Sequence, residues 1–260
     1  MRIALCYSGE IREFEKTFRN HIQCLAENNN AEVNIFAHFW TPEIGNDFVD
    51  DVVRPKKVIY DHHEKDRFIK EAEAGLSLRK LNIEGSRQKN WPQRAFSMFY
   101  GIEKSINLAL EYEQANSIKY DFVFRIRTDS YFLEHTISKL DNFDGSVLNL
   151  SSRWPEPLAS PHRLDILGVA SWPGLLKQSL NREQVLSLEK IDDCFAFGDG
   201  ETMRKYCGVY SNYRAGNIWE KNNHRGDGRL GSPERMLGIQ MENNQLKVYR
   251  NEWKMTLWKG

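Results

Sequence analysis

Five apolar residues in a row, Ile3–Tyr7, are closed by the dipeptide Ser8-Gly9. A run of that length bounded by a turn signal reads as a buried strand. Apolar side chains then recur at Phe14, Phe18, Ile22 and Leu25. That is the spacing of one helix face and predicts a helix over 14–25. Val33–Phe39 is a second apolar strand, and Lys57–Tyr60 a third after Pro55. Parallel neighbours need a long crossover, and the first one here is helical. The opening sixty residues therefore predict an α/β sheet with parallel strands.

The rest of the chain extends this pattern. Residues 61–89 are charged and interrupted by Gly75 and Gly85, and read as a helix followed by a mobile loop. Asn90 is placed to cap a helix with Pro92 in its first turn. Ala95, Phe96, Phe99, Ile102, Ile106, Ala109 and Leu110 follow at helical spacing, so a long helix is predicted over 91–114. Further strands are predicted at Phe122–Arg127, Val147–Leu150, Cys194–Phe197, Leu246–Tyr249 and Met255–Trp258. Helices are expected from Asp199/Gly200 to Tyr206 and from Ser232-Pro233 to about Met241. Residues 151–175 hold four prolines with Trp154 and Trp172, and 212–231 hold four glycines, so both read as loops. Trp154 and Trp172 suit either a sugar platform or pins between loop and core. No stretch has linker composition, so 1–260 is expected to form a single domain.

Composition narrows the function classes. There are 36 Lys and Arg against 36 Asp and Glu, with a mean hydropathy of −0.62. A dedicated nucleic-acid binder carries a basic excess, so none is expected here. No apolar run approaches the roughly 20 residues that span a bilayer. The first residues are too short an apolar stretch for a secretory signal. Cys6, Cys24, Cys194 and Cys207 lack paired or metal-binding spacing. Reduced buried thiols and a cytoplasmic location are expected, with peripheral membrane contact left open. Neutrality is an average: residues 54–94 hold 11 Lys and Arg against 6 Asp and Glu. That excess suits either a flap over a phosphate-bearing ligand or a solvated helix.

Ligands of open α/β sheets bind beyond the carboxyl ends of the strands. After the first strand, Ser8 and Gly9 let a ligand approach the backbone, and Arg12 offers a fork for phosphate. After Phe122–Ile126 come Arg127, Thr128 and Asp129. Arg125, Arg127 and Asp129 share one parity, so an extended chain puts them on one face. They read either as an internal ion-pair network or as a site where Asp129 holds a divalent ion and an arginine holds phosphate. Asp192 and Asp193 precede an aromatic strand and suit a general base or solvated turn residues. Glu234 suits its helix N-terminus, with an active-site role as the alternative. His38 ends the second strand and reads as a core histidine or a cleft residue. His62, His63 and His224 lack metal spacing and are expected at the surface. The signatures of P-loop ATPases, dinucleotide enzymes, zincins and α/β-hydrolases are missing.

RIALCYSGEIREFEKTF, VNIFAHFW, NWPQRAFSMFYGIEKS, FVFRIRTDSYF, DDCFAFGDGETM and SPERMLGIQM together resemble segments of bacterial and viral glycosyltransferases. The group that can be named is the WavE-like lipopolysaccharide-synthesis family, within the GT-A-like nucleotide-diphosphosugar transferases. The resemblance implies a GT-A-like, Rossmann-like fold with a mostly parallel central sheet flanked by helices. Its donor-nucleotide half would span about 1–132 and its acceptor half about 133–260. It implies a nucleotide-sugar donor, a glycan or other hydroxyl acceptor, and Mn²⁺ or Mg²⁺. Asp129 matches one acid of the Asp-x-Asp pair that holds the metal in such enzymes. The second acid is missing, and Arg127 or a basic flap residue is the alternative carrier of positive charge. Ser8, Gly9 and Arg12 match the nucleotide turn, and Gln93 and Arg94 a helix start that approaches the donor. Arg125 and Arg127 would then hold the diphosphate, and Asp193, Asp192 or Glu234 would be the base. A non-catalytic sugar-nucleotide binder and a sulfotransferase-type enzyme are the competing expectations.

Overall fold

The first predicted strand is β1 (Arg2–Glu10), buried from Ile3 to Ser8. It lies between β2 (Glu32–Trp40) and β4 (Phe122–Arg127), parallel to both. β3 (Lys57–Asp61) adds a further parallel strand beside β2. These assignments come from a computed structural model, which describes residues 1–41, 45–75, 91–133, 139–153, 183–184, 193–215 and 233–258. Residues 76–89 of the expected helix and loop over 61–89, with Trp154, Trp172, Asp192 and His224, lie outside the described residues.

Beyond β4 the pairing turns mixed. β8 (Phe195–Gly198) runs antiparallel to β4 and to β6 (Leu148–Arg153). β6 pairs in parallel with β9 (Val248–Leu257), and β9 pairs antiparallel with β5 (Ser130–Phe132) and β7 (Glu183–Gln184). Among the described residues the order is β3-β2-β1-β4-β8-β6-β9-β5, with β7 also on β9. The sheet thus takes strands from both expected halves of the chain. With helices against it, this is a Rossmann-like, GT-A-like α/β fold.

Strand alternation sends Ile3, Leu5 and Tyr7 to one face and Ala4 and Cys6 to the other. The second face is covered by α3 (Trp91–Ala115), the long helix predicted from its periodicity, with Phe96, Phe99, Ile102 and Ile106 buried. α2 (Lys65–Gly75), α4 (Gly200–Cys207), α5 (Val209–Arg214) and α6 (Pro233–Asn243) complete that layer. On the first face α1 (Phe14–His21) covers Tyr7, with ring centroids of Phe14 and Tyr7 4.6 Å apart. Farther along, Phe124, Phe197 and Trp253 stack at 4.9 and 5.2 Å.

Three expectations need correction. The helix predicted over 14–25 is regular only to His21; a wider π-type turn, Ile22–Ala26, and a 3₁₀ turn, Glu27–Asn29, follow. There the side chain of Asn29 donates to the carbonyls of Cys24 and Leu25, taking acceptors that a continuing helix would use. The two late strands are one continuous β9, because the polar stretch between them carries the buried Trp253. Asp129 does not extend β4 but occupies the turn between β4 and β5.

Candidate active site

Strand register assembles the site. Ser8 is the register partner of His38 on β2 and of Arg127 on β4. In a parallel sheet such partners point to the same face, so His38, Ser8 and Arg127 form a row across three strand ends. This is the edge at which α/β sheets bind ligands. α3 passes close over the row at Gly101, where an added Cβ would lie 3.2 Å from His38 Nδ1 and 3.5 Å from Ser8 Cβ.

Three buried polar atoms at this edge have no hydrogen-bond partner among the described residues: Ser8 Oγ, His38 Nδ1 and Arg125 Nε. Buried donors and acceptors are rarely left this way, and they mark places for water or ligand atoms. Next to Ser8, Gly9 has φ +121°, a conformation that favours glycine, with open space where a Cβ would stand. Backbone and ligand can meet there without obstruction.

His38, by sequence a core or cleft residue, has a partner that the sequence does not show. Its Nε2 donates to Asp61 Oδ2 at 2.9 Å, from the end of the neighbouring strand β3. Burial lowers its pKa and outweighs the support of Asp61, so the ring is neutral with its proton on Nε2. Trp40 and Tyr100 edge onto that ring at 4.6 and 5.3 Å.

The second part of the site is ionic. Arg127 grips Asp129 with its fork, Nε to Oδ1 and a terminal nitrogen to Oδ2, both at 2.7 Å. Arg12 Nη1 donates to the same Oδ2 at 3.1 Å, and Arg12 Nε pairs with Glu10 at 2.9 Å. Side-chain exposure is 7% for Asp129, 24% for Arg127 and 49% for Arg12. Arg12 is therefore the cation that faces solvent, while Arg127 is mostly buried, with its Nη1 donating to Cys194 Sγ at 3.7 Å, and the carboxylate is covered. Burial alone would raise the Asp129 pKa, but the two guanidinium groups reverse this and hold it low. Burial likewise pulls Arg127 down, and its bond to Asp129 with the charges of Asp129 and Asp193 more than restores it.

α1 props this turn from below with a polar strip. Thr17 Oγ1 donates to the Thr128 carbonyl, and His21 Nε2 donates to the Ser130 carbonyl at 2.7 Å. Asn20 donates to the Phe132 carbonyl and accepts from its N–H, at 3.0 and 2.8 Å, as a neighbouring strand would. Thr128 Oγ1 closes the turn onto the Glu10 carbonyl at 2.6 Å. Residues 17, 20 and 21 sit at i, i+3 and i+4 on one helix face, so the spacing was visible in the sequence.

Other expected residues take different places. Arg125 is buried and donates to the Cys194 carbonyl, so it braces β4 against the segment before β8. Asp193 is buried beside the cluster and accepts from the Cys194 thiol at 3.3 Å. Arg94 is exposed on the first turns of α3, two helical turns before Gly101. Gln93 lies on the same turns and Glu234 in the first turn of α6; neither side chain is among those described. His62 and His63 are exposed, as expected.

Asp129 does not fit a divalent cation in this arrangement. Both its oxygens already accept from guanidinium groups, and a cation placed there would stand beside two like charges. Among the described residues, no group of three His, Cys, Asp or Glu side chains is placed to hold a metal.

No protein-family model matches the sequence, and no curated protein matches it. Among solved structures the chain is similar to mouse xyloside xylosyltransferase 1 in its apo form. That match has 14% identity and a TM-score of 0.40, over 94% of this chain and 82% of the other. Among the described residues, no helix is long and apolar enough to cross a membrane.

Proposed function

We propose that the protein transfers a sugar from a nucleotide-diphosphate sugar to a hydroxyl acceptor. The observation that carries this reading is the exposed Arg12 guanidinium with the partly buried Arg127 behind it, beside the open Gly9 turn at the ends of β1 and β4. A diphosphate leaving group needs positive charge within contact distance and a backbone that can be approached closely.

In this reading Ser8 and Gly9 line the nucleotide, and Arg12 and Arg127 hold the diphosphate. As the acceptor oxygen bonds to the anomeric carbon, the bond from that carbon to the diphosphate oxygen breaks. Its electron pair leaves with the diphosphate, where the two guanidinium groups stabilise the developing charge. The acceptor proton passes to a carboxylate, for which Asp193 is the first choice and Asp192 and Glu234 the alternatives. Arg125 acts by bracing the strand end. The narrower WavE-like placement, a glycan acceptor and a donor half over about 1–132 belong to the same proposal. The four cysteines are buried thiols, which supports a reducing, cytoplasmic setting.

A thermal-shift panel of UDP-, GDP-, CMP- and adenosine-based ligands tests the reading. A ligand that binds only the folded state raises Tm in proportion to ln(1 + [L]/Kd). A shift with one nucleoside diphosphate and its sugar is expected. A shift confined to a phosphoadenosine ligand would support the sulfotransferase alternative and overturn this one.

A further inference from the structure

We propose that this centre holds its diphosphate without a divalent cation. The Arg127 and Arg12 guanidinium groups supply the positive charge, and Asp129 is their positioning residue, not a metal ligand. The inference rests on the donor reading above and specifies how that site works.

The geometry of the carboxylate carries it. A metal-binding aspartate needs a lone pair open to the cation, and Asp129 has one left, on Oδ1, in a side chain only 7% exposed and faced by two guanidinium groups. Oδ1 of Asp129 is taken by Arg127 Nε and Oδ2 by both Arg127 and Arg12. Recruiting Asp129 to a cation would strip Arg127 of its bidentate partner in a half-buried setting, leaving an uncompensated charge. The turn is also fixed in place: Thr17, Asn20, His21 and the Trp258 N–H all bond its backbone within residues 128–132. The carboxylate is thereby held where the guanidinium groups meet it.

An incoming diphosphate meets less resistance. Arg12 is the more exposed of the two cations, and its other bond is to Glu10, which is more exposed still. Exposed ion pairs contribute little and exchange readily. A diphosphate can replace Glu10 on Arg12 and accept the second hydrogen of an Arg127 terminal nitrogen, the first hydrogens going to Asp129 and Cys194 Sγ, while Asp129 keeps both forks oriented. Glu10 is then a competitor of the ligand, and removing its charge strengthens binding.

Calorimetric titration of the full chain with UDP, GDP, CDP and ADP, in EDTA and again with Mn²⁺, tests this. One nucleoside diphosphate is expected to bind in EDTA within about threefold of its affinity with Mn²⁺, because no ion bridges it. Glu10→Gln is expected to tighten binding by about two- to fivefold, the size of an exposed charge effect. Arg127→Met is expected to weaken it by about tenfold or more, as loss of a charge-assisted contact does. A folded Asp129→Asn variant should still bind in EDTA; if it does not fold, Glu10→Gln and the metal comparison decide. Binding that appears only with Mn²⁺, or Glu10→Gln binding no tighter than wild type, overturns the inference while leaving the donor reading standing. Absence of binding under both conditions overturns the donor reading and this inference together.

Discussion

At His21, burial outweighs hydrogen bonding. Burial pulls its pKa down to about 4 against the support of the Ser130 carbonyl and the Asp129 charge. The unfolded chain takes up a proton near pH 6.5 that the folded chain refuses until about pH 4. Stability from this residue is therefore full above pH 6.5 and is lost as pH falls toward 4, by about 3 kcal/mol at most. His21→Gln should flatten that part of the profile in urea titrations at pH 7, 6, 5 and 4. Asp129 titrates with the same sign at lower pH: its pKa is held low, so its contribution disappears as acid protonates it. Asn20 is the sharper structural test. Asn20→Ala leaves both the N–H and the carbonyl of Phe132 without their buried partner, and should cost roughly 2 kcal/mol or more by urea denaturation.

At the scale of elements, apolar pattern was the legible part. β1, β2, β3, β4 and α3 lie where continuous apolar runs and 3.6-residue spacing put them, because burial on a sheet face or helix face leaves that mark. The polar strip of α1 escaped the same reading. Thr17, Asn20 and His21 are buried for hydrogen bonding and look in sequence like a solvated face. The His38–Asp61 pair was also out of reach, since it depends on β3 lying beside β2. Shared parity puts Arg127 and Asp129 on one face only of an extended chain, whereas the chain turns at Thr128 and it is the turn that brings them together. Gly101 carries a prediction of its own. Gly101→Ala puts a methyl 3.2 Å from His38 Nδ1, and because Asp61, Trp40 and Tyr100 hold that ring it has little room to give, so the variant should destabilise by about 1 kcal/mol despite the better helix propensity of alanine. Asp199 caps α4 by accepting from Thr202 N–H at 2.7 Å. Asp199→Ala should cost about 1 kcal/mol in the same measurement.

For the whole molecule, the balance of 36 basic and 36 acidic residues is resolved at the site into paired groups. Arg127, Arg12, Asp129, Glu10 and Asp193 gather at the ends of β1, β4 and the segment before β8. Two cations against three carboxylates leave the group at −1, but Asp129 and Asp193 are buried, so the groups that reach solvent are Arg12, Glu10 and, in part, Arg127. Such an arrangement suits a small dianionic group held by a few placed donors. It does not suit a long polyanion, which needs a broad basic surface. We propose that this edge of the sheet turns over a nucleotide-diphosphate sugar through its guanidinium groups. The direct measurement is nucleotide release from a panel of UDP-, GDP- and CMP-sugars by the wild-type chain and a folded Arg127→Met variant. On this proposal we expect release from donors of one base class, with the variant slower by about 10²-fold, as loss of a charge-stabilising donor does. Release from no donor, or an undiminished rate in the variant, would contradict it.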